Sequence, residues 1–257
     1  MPDIYDRCLG AAVFRPFAVD LARRAGGLEP NRVLEIAAGT GIVTAELLAA
    51  VPNAHVTATD LNPAMVEAGR SRVPGAEWRQ ADATSLPFPD GVFDVVVCQF
   101  GVMFFPDRPA AYSEVARVLR ASGVMLFNTW DTVDTHGFAQ ALLEGLEGAL
   151  PGDVPPFVSE VPHGYADPEV VARDLTEAGF EVDSVDTVTL EGRGASASDV
   201  ATGFCAGTPL RGQIEARGDL DATTSLVGRA MTARLGEGPV SASMRAHVVQ
   251  ARPGRDR

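Results

Sequence analysis

The sequence predicts an α/β protein built on a doubly wound, mostly parallel sheet, and three stretches carry that expectation. Arg32–Ile36 is a short apolar run followed by the small-residue turn Ala37–Gly41 and by Ile42–Val51, which has helical spacing and composition. His55–Thr59 reads as a second strand that ends at Asp60. Phe93–Phe100 (FDVVVCQF) is nearly all apolar, as suits a central strand covered on both faces.

Taken in order, Asp6–Ala25 is a helical stretch ahead of the first strand. The strand, turn and helix over 32–51 direct backbone N–H groups and a positive helix end to the strand's carboxyl edge. Asp60 reaches that edge 19 residues after Gly41, placed to accept hydrogen bonds from two ribose hydroxyls. The pattern is one for holding a nucleoside. Pro63 stands at a helix start with Asn62 as its N-cap. Asp107–Leu119 reads as a helix, Gly123 as a turn and Val124–Asn128 as the fifth strand, with Gly137–Leu150 helical after it. Pro151–Pro162, holding four prolines, reads as an ordered loop over the site or as a linker. Asp167–Ala178 is a capped helix closed by Gly179, and Phe180–Leu190 alternates as a strand. Helical segments fill Ser196–Leu235 before a last strand over Val240–Ala251.

Spacing decides which nucleoside fits. A dinucleotide turn is G-x-G-x-x-G, yet Thr44 stands where its last glycine belongs, and no lysine follows Gly41 to make a phosphate loop. What stands is acid-x-small-x-Gly-x-Gly, with Glu35, Ala37, Gly39 and Gly41 in those places. A carboxylate there repels a pyrophosphate and suits a ligand carrying an ammonium group. This motif, with Asp60, the stretch Trp78–Asp94 and the apolar fourth strand, resembles the class I S-adenosylmethionine-dependent methyltransferases of the small-molecule, type 11-like kind. The resemblance spans roughly residues 30–130. It implies that the glycine turn lies beside the methionine moiety of S-adenosylmethionine and that Glu35 helps hold its amino group. It further implies that Asp60 binds the ribose, that Leu61 packs on the adenine with Met65 as a second wall, and that Asp82 and the Ala83 amide read the adenine edge. Gln99, at the carboxyl end of the fourth strand, completes the expected cofactor set. The family's first glycine is Ala37 here, and a methyl group is tolerated there if φ is negative.

The resemblance also implies seven strands closed by an antiparallel last strand, in a single methyltransferase domain over 1–257. That domain would comprise an N-terminal lid helix (1–28) lined by Tyr5 and Phe14, a cofactor-binding half (30–130) and a C-terminal half (131–257). The last half holds a lid or insertion near 192–238, which covers the site or joins copies of the chain in a homo-oligomer.

Composition narrows the partners. The chain is 46% hydrophobic with a mean hydropathy near zero, which fits a soluble globular protein. No apolar run reaches the ~18 residues of a membrane span; Val95–Phe105 is interrupted by Gln99. The opening MPDIYDRCLG lacks a signal-peptide pattern, and three scattered cysteines favour a reducing cytoplasm. A net charge of −13 disfavours nucleic acid and anionic lipid. Arg23, Arg24, Arg252, Arg255 and Arg257 are too sparse to reverse that, so the expected partner is a small-molecule acceptor.

Methyl transfer from a sulfonium is an in-line displacement in which the protein aligns the reactants and excludes water. A base is needed only where the acceptor must lose a proton. His55 and His247 lie in strands and read as structural. His136, after the WDTVDT loop, and His163, in the VPHGYADP turn, are the catalytic candidates, with a plain loop histidine as the alternative for each. Trp130 and Tyr165 either wall the acceptor pocket or pack the lid. No His/Cys cluster has metal-ligand spacing, Asp131 with Asp134 is a weak pair for magnesium, and no G-x-S-x-G elbow occurs. Two other functions compete: a methyltransferase-fold protein that binds the cofactor without methylating, as a cyclase-like enzyme or partner subunit, and a nicotinamide oxidoreductase. Thr44 and Glu35 argue against the second.

Overall fold

The computed structural model describes residues 2–254, so Arg255 and Arg257 of the sparse basic set lie outside the described residues. The chain opens with α1 (Pro2–Tyr5), a π-helix (Asp6–Phe14) and α2 (Arg15–Gly26). Strands β1 (Arg32–Glu35), β2 (His55–Asp60) and β3 (Glu77–Gln80) follow, linked by α3 (Ile42–Ala50) and α4 (Pro63–Arg72). Then come β4 (Phe93–Gln99), α5 (Arg108–Val118) and β5 (Leu119–Trp130). Helices α6 (Gly137–Ala149), α7 (Phe157–Glu160) and α8 (Pro168–Glu177) lead to β6 (Phe180–Gly194). Helices α9 (Ala197–Gly207), α10 (Leu210–Glu215) and α11 (Leu220–Leu235) precede β7 (Val240–Pro253).

The strands form one sheet in the order β3-β2-β1-β4-β5-β7-β6. Pairs among β1 to β5 are parallel, and β7 runs antiparallel to both its neighbours. This is the expected doubly wound sheet. The chain winds outward from β1 to β3, then returns to lay β4 on the other side of β1. The crevice outside the carboxyl ends of β1 and β4 is therefore the topological switch point, where sheets of this kind bind ligands.

The chain forms two compact units. The larger contains Phe17–Thr129, Tyr165–Val188 and the residues from Ala246 onward. In α2, Ala18, Leu21, Ala22 and Ala25 recur at helical spacing and pack with Val33, Leu47, Val95, Val97 and Leu126. Burying each Val or Leu side chain contributes about 1.5–3 kcal/mol. A second cluster gathers Ala38, Ala58, Val66 and Val73 around Trp78, beneath the glycine turn.

The smaller unit contains the chain up to Pro16, Trp130–Gly164 and Thr189–Arg245. Here α11 packs on α6 and α9, and α9 packs on α1 and the π-helix. Gly203 and Gly207 lie one turn apart on α9. A Cβ on the first would come within 2.6 Å of Leu9 Cγ, and on the second within 3.0 Å of the Tyr5 nitrogen. The glycines let the N-terminal helices lie close.

Three local expectations differ from the structure. The N-terminal helical stretch contains a nine-residue π-helix. β5 begins at Leu119, directly after α5, and Gly123 lies inside it instead of in a turn before it. The β4–β5 register shifts between Phe93 and Val95, leaving 120–123 as a bulge. A Cβ at Gly123 would stand 2.9 Å from the Arg120 carbonyl oxygen, so glycine is required at that bend. The proline-rich loop also contains the short α7. Among the described residues no helix is long and apolar enough to cross a membrane.

Candidate cofactor site

β1 ends at the switch point with Glu35, which is 1% exposed. Thr44, on the first turn of α3, donates from Oγ1 to Glu35 Oε2 at 2.6 Å, and Thr59 Oγ1 donates to the Glu35 carbonyl at 3.0 Å. Burial, opposed by the Thr44 bond and helped by the nearby Asp60 charge, pushes the Glu35 carboxyl up to about 8. On its own it holds a proton at neutral pH; an ammonium group set against it would favour the anion.

A stability consequence follows, with a definite sign. The folded value of about 8 lies above the ordinary 4.5, so the folded chain binds the extra proton between those limits. This contribution to stability is complete below the unfolded value and is lost as pH rises through the folded one, at up to about 1.4 kcal/mol per pH unit. Glu35→Gln is expected to flatten that decline in denaturant titrations run at several pH values. An identical slope in the variant would contradict the assignment.

The turn after β1 corrects one expectation. Ala37 takes φ +53°, in the left-handed region and not negative. At the end of β4, Phe100 takes φ +50°. A left-handed non-glycine residue costs about 1–2 kcal/mol. Hydrogen bonds hold the bend nonetheless: Ala38 N–H to the Thr59 carbonyl at 2.9 Å, Gly39 N–H to Asp60 Oδ2 at 2.8 Å, and Gly41 N–H to the Ala38 carbonyl at 3.0 Å. The Ala37 methyl faces Gly101, where an added Cβ would lie 2.6 Å from Ala37 Cβ and 2.6 Å from Cys98 Sγ. Bulk at residue 37 is thus matched by a glycine at residue 101. At Gly39 (φ +56°) nothing lies within 4 Å of where a Cβ would stand, so this face of the turn is open.

Asp60, at the end of β2, is oriented on both oxygens. Oδ2 accepts from Gly39 N–H and Oδ1 from Asn62 N–H, each at 2.8 Å. Burial raises its pKa, against those two backbone bonds. Each oxygen keeps a second lone pair, so the group can still receive two hydroxyls. Leu61 beside it is 63% exposed, with its carbonyl tied to Gln80 Nε2 at 3.0 Å. Asn62 caps α4 by accepting from Ala64 N–H, with Pro63 as the first helical residue, and Met65 is half-buried on that helix. After β3, Asp82 Oδ1 accepts from the Thr84 N–H at 2.8 Å and the Thr84 hydroxyl at 2.7 Å. Those bonds hold it below the usual carboxylate range. Asp82 is exposed and Ala83 half-buried, and Gln99 ends β4 opposite Asn128.

All ten cofactor candidates therefore lie in the larger unit, from the ends of β1 to β4 onto the first turn of α4. The set fits S-adenosylmethionine: an acid for the ammonium group, a doubly anchored carboxylate for the ribose, an exposed Leu61 for a flat base and an open glycine face. Sequence reasoning did not assign Thr44, Thr59, Trp78 or Gly101 a part in shaping this edge. Thr44 alone left a signal, as the residue that breaks the dinucleotide pattern.

The catalytic candidates lie in the smaller unit. His136 and His163 are both buried, with ring centroids 5.4 Å apart, and Trp130 packs against them at 4.7 and 6.2 Å. Tyr165 is elsewhere, in the larger unit: its hydroxyl donates to Asp174 at 3.0 Å and lies 3.3 Å from the Tyr112 hydroxyl, and Arg108 covers its ring. Asp131 is buried and pairs with Arg245, while Asp134 is exposed. Among the described residues no cluster of three His, Cys, Asp or Glu side chains could hold a metal ion.

Comparison with known proteins bears on the family and the fold. A family model described as a methyltransferase domain matches residues 34–127. An uncharacterized protein of Mycobacterium tuberculosis, Rv1403c, is 35% identical over 54% of this chain, which covers 52% of that protein. The chain thus spans about half the length of such mycobacterial relatives. The demethylmenaquinone methyltransferase of Thermus thermophilus is 32% identical over 66% of this chain and 81% of its own length. In fold, the chain is similar to the YcgJ protein of Bacillus subtilis (TM-score 0.59, 19% identity, 93% and 99% of the two chains). It is equally similar to the [4+2]-cyclase SpnF (TM-score 0.59, 17% identity, 92% and 80%). With the seven-stranded sheet, the acidic glycine turn and these relatives in agreement, the chain belongs to the class I S-adenosylmethionine-dependent methyltransferases.

Proposed function

We propose that the protein transfers the methyl group of S-adenosylmethionine to a small-molecule acceptor. The observation that carries this is the pair of acids at the ends of adjacent strands, Glu35 and Asp60, joined by a turn whose Gly39 N–H donates to Asp60. In this reading Glu35 takes the ammonium group, Asp60 the ribose hydroxyls, Leu61 and Met65 the adenine face, and Asp82 with Ala83 the adenine edge. Ala37, Gly39, Gly41 and Gln99 shape the approach to the donor. The cofactor supplies an electrophilic methyl group, and the protein's part is alignment and exclusion of water. His136 and His163 are the candidates for handling an acceptor proton. The acidic chain, with its net charge of −13, and the demethylmenaquinone in the name of the Thermus relative support a small-molecule acceptor.

The test is incubation with methyl-labelled S-adenosylmethionine and a panel of phenols, quinols and amines, with transfer RNA alongside. Label is expected in one small-molecule class. Label confined to the RNA would overturn the reading, and tight cofactor binding without transfer across the panel would favour a non-methylating, cyclase-like role.

A further inference from the structure

We propose that Asn128 is a positioning residue for cofactor binding: its side-chain amide fixes a left-handed bend at Phe100, and through Gly101 that bend holds Ala37 in place. This rests on the reading that the turn over 37–41 receives S-adenosylmethionine. Every residue involved belongs to the larger unit.

Asn128 lies near the carboxyl end of β5, opposite Gln99. Successive side chains of a strand alternate between faces, and Val33, Val95, Val97 and Leu126 pack in one cluster. Glu35 stands two residues beyond Val33 and Asn128 two beyond Leu126, so acid and amide share that face. Asn128 is fully buried there. Its Oδ1 accepts the Phe100 N–H at 2.9 Å, and its backbone carbonyl accepts the same N–H at 3.2 Å. A backbone N–H can only donate, so the amide oxygen faces Phe100 and Nδ2 points away. Nδ2 is buried with no hydrogen-bond partner. A buried donor of this kind costs free energy that a leucine of similar shape would avoid. What Asn128 adds over leucine is the oxygen set against Phe100.

That oxygen acts on a strained link. Phe100 takes φ +50°, a conformation that persists in a bulky residue only where its surroundings enforce it. Its ring packs edge to face on Phe17, with centroids 5.3 Å apart, so ring and backbone are held at separate points. The next two N–H groups, of Gly101 and Val102, turn to Cys98 Sγ. Gly101 is thereby set between Ala37 Cβ and Cys98 Sγ, with no room for a side chain of its own. Ala37 is left-handed as well, and two residues on the Gly39 N–H reaches the Asp60 carboxylate. Two strained residues, one after β1 and one after β4, thus brace each other across Gly101, and Asn128 holds the second. Release of Phe100 would withdraw Gly101 from Ala37 and loosen the turn that orients Asp60.

The test is calorimetry with S-adenosylhomocysteine on the native chain, Asn128→Leu and Asn128→Asp, each with and without Ala37→Gly. Asn128→Leu is expected to bind about five- to tenfold more weakly, the worth of one buried hydrogen bond. Its thermal midpoint should move by no more than about 3 °C, because the unpartnered donor leaves with the lost bond. Asn128→Asp keeps an oxygen toward the Phe100 N–H in either protonation state, so its affinity should return to within about twofold of native. Glycine adopts the left-handed conformation at residue 37 without strain, so with Ala37→Gly the leucine variant should lose no more than about twofold. Unchanged affinity in Asn128→Leu, no recovery in Asn128→Asp, or an equal loss in both backgrounds would overturn the proposal. If Asn128→Leu does not fold, hydrogen exchange on the native chain decides. By reciprocity S-adenosylhomocysteine should slow exchange of the Phe100 N–H more than that of the amides in α8, and equal slowing would overturn the proposal. Failure of the native chain to bind S-adenosylhomocysteine would end the underlying reading instead.

Discussion

Replacing Asp60 with alanine is expected to weaken S-adenosylhomocysteine binding by about ten- to a hundredfold, read by calorimetry. Losing a charge-assisted pair of ribose hydrogen bonds costs on the order of 1.5–3 kcal/mol. The structure adds a second loss in the same direction. The Asp60 carboxylate also receives the N–H groups of Gly39 and Asn62, so the substitution releases both the glycine turn and the entry to α4. Asp60→Asn separates the contributions. Its remaining carbonyl oxygen can hold one of the two N–H groups, while its amide nitrogen opposes the other, so an intermediate affinity is expected. Unchanged affinity in Asp60→Ala would mean that the ribose lies elsewhere.

Gly69→Ala is expected to have the largest effect on stability, at about 3 kcal/mol, the upper end for overpacking a tight interior. A methyl at this position would stand 2.1 to 2.6 Å from three ring carbons of Trp78. The ring has little freedom to yield. Its Nε1–H donates to the Val73 carbonyl at 3.0 Å, and a Cβ built on Gly41 would already sit 3.0 Å from its edge. A shift of Trp78 therefore presses on the turn proposed to hold the cofactor, so affinity should fall along with stability. Thermal unfolding should drop by roughly 5–10 °C for a chain of this size. Adding Trp78→Phe should recover part of the loss, and an unchanged midpoint in Gly69→Ala would show that the packing is looser than described.

Much of the strand edge that carries the candidate site was legible in the sequence because its signals are local. Short apolar strands, a turn of small residues and an acid at each strand end need only neighbours along the chain. Thr44 already argued against a dinucleotide turn; its bond to Glu35 gives the physical reason for a threonine there. What escaped depends on distant partners. The positive φ of Ala37 is held by bonds from its turn to Thr59 and Asp60, and the room for its methyl comes from Gly101. The bulge at 120–123 is imposed by the register of β5 on β4, which residue pattern alone does not reveal. The π-helix lies against Gly203 of α9, more than 180 residues away in sequence. His136 and His163, 27 residues apart, were named singly; their pairing around Trp130, and the separate place of Tyr165, come from tertiary structure.

The most direct test is a calorimetric titration of the native chain with S-adenosylhomocysteine at about pH 7 in two buffers of different ionisation enthalpy. The account predicts saturable micromolar binding with release of close to one proton, because the ligand's ammonium group converts the protonated Glu35 to its anion. Absence of saturable heat, or binding with no proton released, would contradict it.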